Sequence, residues 1–201
     1  PQVIDRLCEL FDEYEIPATW AVVSHLLEEC NGDHSDRTSP DFAWVDDLFD
    51  QLPCVSGIDE DLWYAPWLIE KIQDCQTEQE IGLHGSTHMQ LGADGCLRQH
   101  ADEEIGAAVE TLRSHGVEPT SFVFPRNDVG HVDVLREHGI EVYRGIDARW
   151  YERASVPSAV KPPLRFADEA IRGTPPVVEP VTRDGIVEIP GSQVFRPSHD
   201  G

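Results

Sequence analysis

The chain has 201 residues, of which 40% are hydrophobic, so it is long enough to bury the core of one α/β domain. Its 38 acidic residues outnumber 15 basic ones and give a formal net charge of −23, a surface that repels nucleic acid. No stretch approaches the roughly 20 consecutive apolar residues that a membrane-spanning helix requires. We therefore expect a single domain over residues 1–201, with neither a nucleic acid nor a membrane as its partner.

The basic residues are also unusual in kind, because Lys71 and Lys161 are the two lysines and all the others are arginines. Acidic surfaces that are poor in lysine suit proteins that must stay soluble in concentrated salt, and they indicate a halophilic source. At molar salt the Debye length is only about 3 Å, so repulsion among the carboxylates is screened. We expect the fold to need salt.

Five cysteines are scattered along the chain without a Cys-x-x-Cys pair: Cys8, Cys30, Cys54, Cys75 and Cys96. An odd number at such wide spacings indicates neither a disulfide framework nor a zinc cluster. Free thiols are typical of a reducing compartment, and we expect a cytoplasmic protein. Five of the histidines are interpreted as surface residues: His25, His34, His100, His115 and His138.

Hydrophobic periodicity outlines the first half of the chain. Apolar residues over Val3–Tyr14 recur at helical spacing, and Pro17 closes this first helix. The apolar run Ala18–Val23 is typical of a strand covered on both faces. A long loop rich in Asp, Ser and Pro is predicted over 31–57, followed by a helix over Leu62–Cys75.

The second half continues the alternation, with helices predicted over 101–112 and 131–138 and strands over 121–125, 140–143 and 185–190. The proline-rich segment Val156–Arg183 is predicted to wrap around the domain as a loop. Strands that alternate with helices through short connections predict a parallel sheet or barrel with right-handed crossovers.

The stretch Gln79–His88 carries the strongest chemical pattern. A short apolar strand ends at His84, and His88 follows four residues later. If a helical turn begins there, both imidazoles lie on one face and can bind one ion, and Gly85 is compatible with such a tight turn. Active sites of α/β folds lie at the carboxyl ends of strands. We therefore interpret His84 and His88 as ligands of a divalent metal ion, expected to be Zn²⁺.

Three stretches in this order resemble the polysaccharide deacetylase family: Ile16–Val23, Glu80–His88 and Phe122–Asn127. Members of that family are irregular (β/α) barrels, and they remove N- or O-acetyl groups from sugars by means of a bound divalent metal. The resemblance therefore implies an α/β fold of the irregular (β/α) barrel type. It also gives His84 and His88 the ligand role of the family's His-Ser/Thr-x-x-His motif.

The last of these stretches resembles the family's Arg-x-Pro-Tyr loop, with Pro125 retained, Arg126 where an aromatic is common and Asn127 where a glycine is common. The resemblance implies that this loop forms a wall of the metal pocket, with Arg126 and Asn127 as catalytic candidates. The N–H that follows Pro125 is a candidate oxyanion donor. A salt-bridged arginine and a turn asparagine are the structural alternatives.

Aromatic side chains are candidates for stacking on a sugar. Trp63 and Trp67 lie in the predicted helix after the long loop, where packing against the barrel is the alternative. Trp150 ends a stretch that resembles a later Asp-and-Trp motif of the family. We predict four substrate-binding residues: Trp63, Trp67, Pro125 and Trp150.

Two of the family's features have no clear counterpart. Its Asp-Asp pair, which supplies the general base and the third metal ligand, lies on a strand before the opening helix, and we expect the domain to be truncated there. Asp5 and Asp12 lie on the helix and do not replace that pair. For its late catalytic histidine, His199 is a poor match. Asp128 and Asp147 remain alternative candidates for orienting the histidine rings.

These observations favour a metal-dependent hydrolase of carbon–nitrogen bonds other than peptide bonds, with a linear amide such as the N-acetyl group of a glycan as substrate. A cyclic-amide hydrolase on the same barrel is the second hypothesis. The third is a non-catalytic barrel that binds acetylated carbohydrate. The expected partner is an acetylated glycan or a small amide, and assembly into a homo-oligomer stays open.

Overall fold

The computed structural model describes residues 2–35, 37–54, 63–146, 151, 156–171 and 178–191. Its six strands are β1 (Thr19–Val22), β2 (Glu80–Leu83), β3 (Ser121–Val123), β4 (Val142–Gly145), β5 (Val181–Arg183) and β6 (Ile186–Pro190). They form one sheet in the order β1-β2-β3-β4-β6-β5, in which β5 runs antiparallel to β6 and the other pairs are parallel. The fold is therefore mixed α/β with a mostly parallel sheet, and β1 and β5 lie at the two ends of its strand order.

Five α-helices accompany the sheet within the described residues: α1 (Gln2–Glu13), α2 (Trp67–Gln73), α3 (Arg98–Ser114), α4 (Val132–Glu137) and α5 (Lys161–Ile171). Short 3-10 turns cover Ser24–Leu27, Phe49–Gln51, Pro125–Asn127 and Ser158–Val160. None of these described helices is both long enough and apolar enough to cross a bilayer.

The helix α3 supplies the largest apolar face of the core. Its residues Ala101, Ile105 and Leu112 are fully buried, and they share one hydrophobic core with Leu83 of β2 and Phe122 of β3. The i, i+4, i+7 pattern of such residues is the reason that this segment is helical and faces the sheet.

The predicted alternation is confirmed for α1 to α4 and for β1 to β4 and β6, although β3 and α2 are shorter than expected. Two expectations are wrong. Within the described residues β1 is an edge strand, and its Thr19 and Ala21 are exposed, so it is not covered on both faces. The segment Val156–Arg183 contains α5 and β5 rather than a continuous loop. Pro162 and Pro163 lie in the first turn of α5, where a helix does not need their missing N–H groups.

Candidate metal sites at the carboxyl ends of the strands

The imidazole of His84 is held at the carboxyl end of β2. Its backbone N–H donates to Val22 O at 2.8 Å and continues the ladder between β1 and β2. Its ring Nδ1 lies 2.7 Å from Val123 O at the end of β3. A carbonyl oxygen only accepts, so Nδ1 carries the ring proton and Nε2 keeps its lone pair. This tautomer is the one that leaves Nε2 available to a metal ion.

The ring of His88 faces that of His84. The two ring centroids are 4.7 Å apart with an interplanar angle of 70°. Partial burial lowers the pKa of His88 below its ordinary value, and the neighbouring His84 and Arg126 lower it further, which favours the neutral form of the His88 ring. Two imidazoles that converge at the carboxyl ends of the strands can act together as metal ligands.

The helical turn that was predicted between these histidines does not form. Residues 84–88 are a loop, in which Gly85 has φ of 80° and His88 has φ of 65°. A Cβ on Gly85 would lie 2.7 Å from Glu104 Oε1, so glycine is required there by both backbone conformation and space. The rings converge because the loop wraps around a carboxylate rather than because of helical spacing.

That carboxylate belongs to Glu104 of α3, whose side chain is fully buried. It accepts hydrogen bonds from Thr87 N at 2.6 Å and from Thr87 Oγ1 at 3.0 Å. It also forms an ion pair with Arg37, whose Nη2 lies 2.7 Å away. Sequence reasoning missed Glu104, although a glutamate on the buried face of an amphipathic helix was a signal that could have identified it.

The loop after β3 lies beside the two histidines, as the resemblance implies. Pro125 is buried and begins the 3-10 turn Pro125–Asn127, while Arg126 and Asn127 are exposed. Both have positive φ, 54° and 55°, a backbone conformation that costs free energy in residues with a side chain. In this turn Asn127 N donates to Phe124 O, whereas Arg126 N has no acceptor within the turn.

The predicted tryptophans are not brought together with the histidines by the contacts described. Trp63 is about half exposed, at 49%. Trp67 begins α2, where Lys71 Nζ of the same helix lies 5.6 Å from its ring centroid. Lys71 in turn forms an ion pair with Asp5 of α1, so this part of α2 faces α1.

Asp128, one of two candidates for orienting the histidine rings, does not take that position at His84. Its Oδ1 lies against Gly92, and burial together with the charge of Asp94 raises its pKa. The carbonyl of Val123 occupies that position instead. Three further candidates lie outside the described residues: Asp147, Trp150 and His199.

A second group of potential ligands also lies at the carboxyl ends of the strands, next to β1. His25, Cys30, His34 and Cys54 each offer one ligand atom, and these atoms all lie within 4.8 Å of one another. Cys54 Sγ is 2.9 Å from His25 Nε2 and 3.3 Å from His34 Nε2. Cys30 Sγ is 3.5 Å from His34 Nε2. We refer to these four residues as the Cys₂His₂ cluster, and it is an arrangement that could bind a metal ion.

The surroundings of this cluster favour the neutral forms of His25 and Cys54 in the absence of a cation. Burial, with His34 and Arg37 as secondary causes, lowers the pKa of His25 to about 4. Burial and the neighbouring Cys30 thiol raise the pKa of Cys54 to about 11. A metal ion would provide the positive charge that a buried thiolate requires.

The sequence predictions for these four residues need correction. His25 is buried, with 7% of its surface exposed, although it was predicted to be a surface residue, and the same prediction is wrong for His100, which is 5% exposed. The cysteines were judged unable to form a zinc cluster, yet Cys30 and Cys54 lie with two histidines in one group. Their spacings of five, four and twenty residues follow no short motif, so loop folding alone brings them together.

A cavity of about 490 Å³ lies at the amino ends of the strands, opposite the histidines, and is lined by residues such as Pro17, Glu80 and Thr120. No histidine or cysteine is among its lining residues. Ligands of open α/β sheets bind at the carboxyl ends of the strands. We therefore favour the carboxyl ends, where His84 and His88 lie, over this cavity as the functional site.

No protein-family model matches this sequence, and a search among curated proteins finds no match. The resemblance to polysaccharide deacetylases therefore rests on the motifs around His84, His88 and Pro125. What the protein does has to be inferred from the geometry of its own residues.

Proposed function

We propose that the protein is a metal-dependent hydrolase of non-peptide carbon–nitrogen bonds, with the N-acetyl group of a glycan as its substrate class. In this proposal His84 and His88 bind the divalent metal ion, and the sheet belongs to an irregular (β/α) barrel. The reaction site lies at the carboxyl ends of β2 and β3.

The hydrogen bond between His84 Nδ1 and Val123 O is the observation that carries this proposal. It fixes the proton on the nitrogen that faces the protein and leaves Nε2 free beside the ring of His88, whose lowered pKa favours the neutral form. Histidines that ligate metals are typically held by such a bond from the other ring nitrogen to a carbonyl or carboxylate. An ordinary surface histidine has no need of this support.

Two imidazoles suit the ligand set of a catalytic zinc site, which combines three protein ligands with an open position. A divalent ion bound there polarises an acyl carbonyl and activates water. Among the described residues, the groups of three or more possible ligands do not include His84 and His88. The proposal therefore requires a further ligand and a general base, for which the family resemblance implies carboxylates.

Arg126 has a specific role in this proposal. Its charge acts on the pKa of His88, which indicates that the guanidinium lies near the ring pair. A planar cation at that position can orient the acyl oxygen of the substrate. The Arg126 N–H, which has no acceptor within its turn among the described residues, adds a donor for the developing oxyanion, and the positive φ values of the turn fix its direction.

Acetate release from N-acetylated oligosaccharides, measured on the zinc-loaded full-length protein, tests this function. We expect His84→Ala and His88→Ala to lower kcat/KM by about 10³-fold, or roughly 4 kcal/mol, while His115→Ala at the end of α3 retains activity. Arg126→Lys should lower turnover far more than it lowers the melting temperature. Equal rates in wild type and His84→Ala would overturn the proposal. Ring opening of cyclic amides, or glycan binding without acetate release, would favour the two alternative hypotheses.

A further inference from the structure

The geometry of the Cys₂His₂ cluster matches the edges of a small tetrahedron. A zinc ion with Zn–S near 2.3 Å and Zn–N near 2.0 Å holds its ligand atoms about 3.3 to 3.8 Å apart. Three of the six separations among these atoms are 2.9, 3.3 and 3.5 Å, and all four atoms lie within 4.8 Å of one another. Side-chain adjustments of about 1 Å or less would therefore place all four at coordination distance from one central ion.

Hydrogen bonding among the four side chains holds them only weakly, because each ring nitrogen has a thiol as its partner. His25 Nε2 and His34 Nε2 both face the single sulfur of Cys54, and His34 Nε2 also faces Cys30 Sγ. A thiol has one proton to donate, and sulfur is a weak acceptor. His25 is buried, so its ring nitrogen has little access to water in exchange. A shared cation satisfies every one of these atoms at once.

The backbone next to Cys30 also suits a thiolate ligand. Gly32 N donates to Cys30 Sγ at 3.3 Å, the type of N–H···S bond that supports metal-bound sulfur. Gly32 has φ of 83°, and a Cβ there would lie 3.3 Å from Cys54 O. The turn thus brings the Cys30 and Cys54 segments together.

We propose that His25, Cys30, His34 and Cys54 bind one structural zinc ion that fastens the loop over residues 30–54 to the end of β1. Four protein ligands fill a tetrahedral shell and leave no open position for substrate, so this ion has no part in hydrolysis. The zinc ligands take no part in the chemistry proposed for His84 and His88.

A continuous set of contacts joins this zinc site to the loop that carries the predicted catalytic metal ligands. The ring of His34 stacks on Phe49, with centroids 5.4 Å apart. The guanidinium of Arg37 lies 5.1 Å from the Phe49 centroid and forms the ion pair with Glu104. Glu104 binds the N–H of Thr87. Loss of the zinc ion should therefore loosen the loop between His84 and His88.

Cobalt titration of the reduced, metal-free full-length protein tests the ligand set. Cobalt bound by cysteine sulfur gives a sulfur-to-metal charge-transfer band, whereas a site of imidazoles and carboxylates does not. We expect about one equivalent with this band in wild type and in the control Cys8→Ser, and loss of the band in Cys30→Ser and Cys54→Ser. The wild-type spectrum is informative even if a variant fails to fold.

The titration has outcomes that separate this proposal from the hydrolase. The zinc-site proposal would be wrong if cobalt bound without a charge-transfer band, or if the band were unchanged in Cys54→Ser. Neither result would contradict the proposed reaction. A Cys30–Cys54 disulfide in protein purified under reducing conditions would also overturn it. The band with no acetate release would leave the zinc site intact and remove the reaction.

Hydrogen exchange tests the proposed contact between the zinc site and the loop. The His84→Ala/His88→Ala double variant is used so that a metal at those residues has no influence. Chelation of its zinc should speed amide exchange at Thr87 by about tenfold or more, with Leu112 of α3 as the control amide. Unchanged exchange at Thr87, or equal acceleration at both amides, would contradict the contact.

Discussion

Glu104 is a charged residue in a position normally occupied by apolar side chains. It lies on the face of α3 that also carries Ala101 and Ile105, and its side chain is fully buried. The carboxylate is stabilised there by Arg37 and by the N–H and hydroxyl of Thr87. Because a buried carboxylate is costly without such partners, its purpose here is to fix the loop between the two histidines.

We predict that Glu104→Gln lowers the free energy of unfolding by about 3 to 5 kcal/mol. A neutral amide cannot balance the positive charge of Arg37, and its NH₂ group would face the N–H donors of Arg37 and Thr87. Denaturant unfolding measures this difference. Glu110→Gln, an exposed change of the same chemistry on the same helix, should alter stability by less than about 0.5 kcal/mol. Similar values for the two variants would show that Glu104 does not organise the loop.

How far the sequence predicts the site differs between its residues. His84, His88 and Pro125 belong to compact motifs, and their position at strand ends follows from the alternation of strands and helices. The loop conformation around Gly85 could not be predicted, because it depends on Glu104, sixteen or more residues away in the chain and adjacent only in the fold. The same is true of the Cys₂His₂ cluster, whose members come from separate turns.

At the scale of elements, a side chain at the end of α1 binds the segment that precedes β2. Asp12 Oδ1 accepts a hydrogen bond from Thr77 N at 2.8 Å. This bond, together with the N–H of Gln76, lowers the pKa of Asp12 below its ordinary value of 3.8. The contact between α1 and this segment thus depends on the ionised carboxylate.

A lowered pKa in the folded state means that Asp12 contributes stability above its unfolded pKa and that this contribution is lost as the pH falls through its folded pKa. We predict that Asp12→Asn melts at a lower temperature than wild type at neutral pH. The gap should narrow as the pH falls below 3.8 and close once the pH is below the folded-state pKa of Asp12. Asp46→Asn, a change at an exposed aspartate, is a control for general charge effects. A gap that is independent of pH would mean that the charge of Asp12 is not what holds this segment.

The elements between Val156 and Arg183 were missed because local signals in the sequence have more than one meaning. Pro162 and Pro163 favour a loop by composition, but proline is also compatible with the first turn of a helix such as α5. Asp184 and Gly185, with φ of 49° and 83°, form the tight turn between β5 and β6, and this Asp-Gly signal was available in the sequence. By contrast, the edge position of β1 follows from which strands pair, which local periodicity does not encode.

At the scale of the whole molecule, charge is the dominant feature. The described ion pairs of Arg98 and Arg113 are exposed, and pairs of this kind contribute little individually. With 38 acidic and 15 basic residues, most carboxylates have no cationic partner available. Their mutual repulsion opposes the compact state unless salt screens it.

We predict that the melting temperature rises steeply between dilute buffer and molar potassium chloride, since the Debye length falls from about 10 Å at 0.1 M to about 3 Å at 1 M. Thermal melts over a salt series measure this rise. A non-ionic osmolyte of equal osmolality is the control, because it is excluded from the protein surface but screens no charge. A melting temperature that responds equally to both solutes would show that repulsion is not the determinant.

The central claim is that His84 and His88 bind a catalytic metal ion, and anomalous X-ray diffraction tests it most directly. Crystals of the full-length protein grown with zinc would be measured above and below the zinc absorption edge. We predict an anomalous peak at coordination distance, near 2.0 to 2.1 Å, from His84 Nε2 and from a ring nitrogen of His88. A map with zinc in the Cys₂His₂ cluster and none between these two rings would contradict the claim.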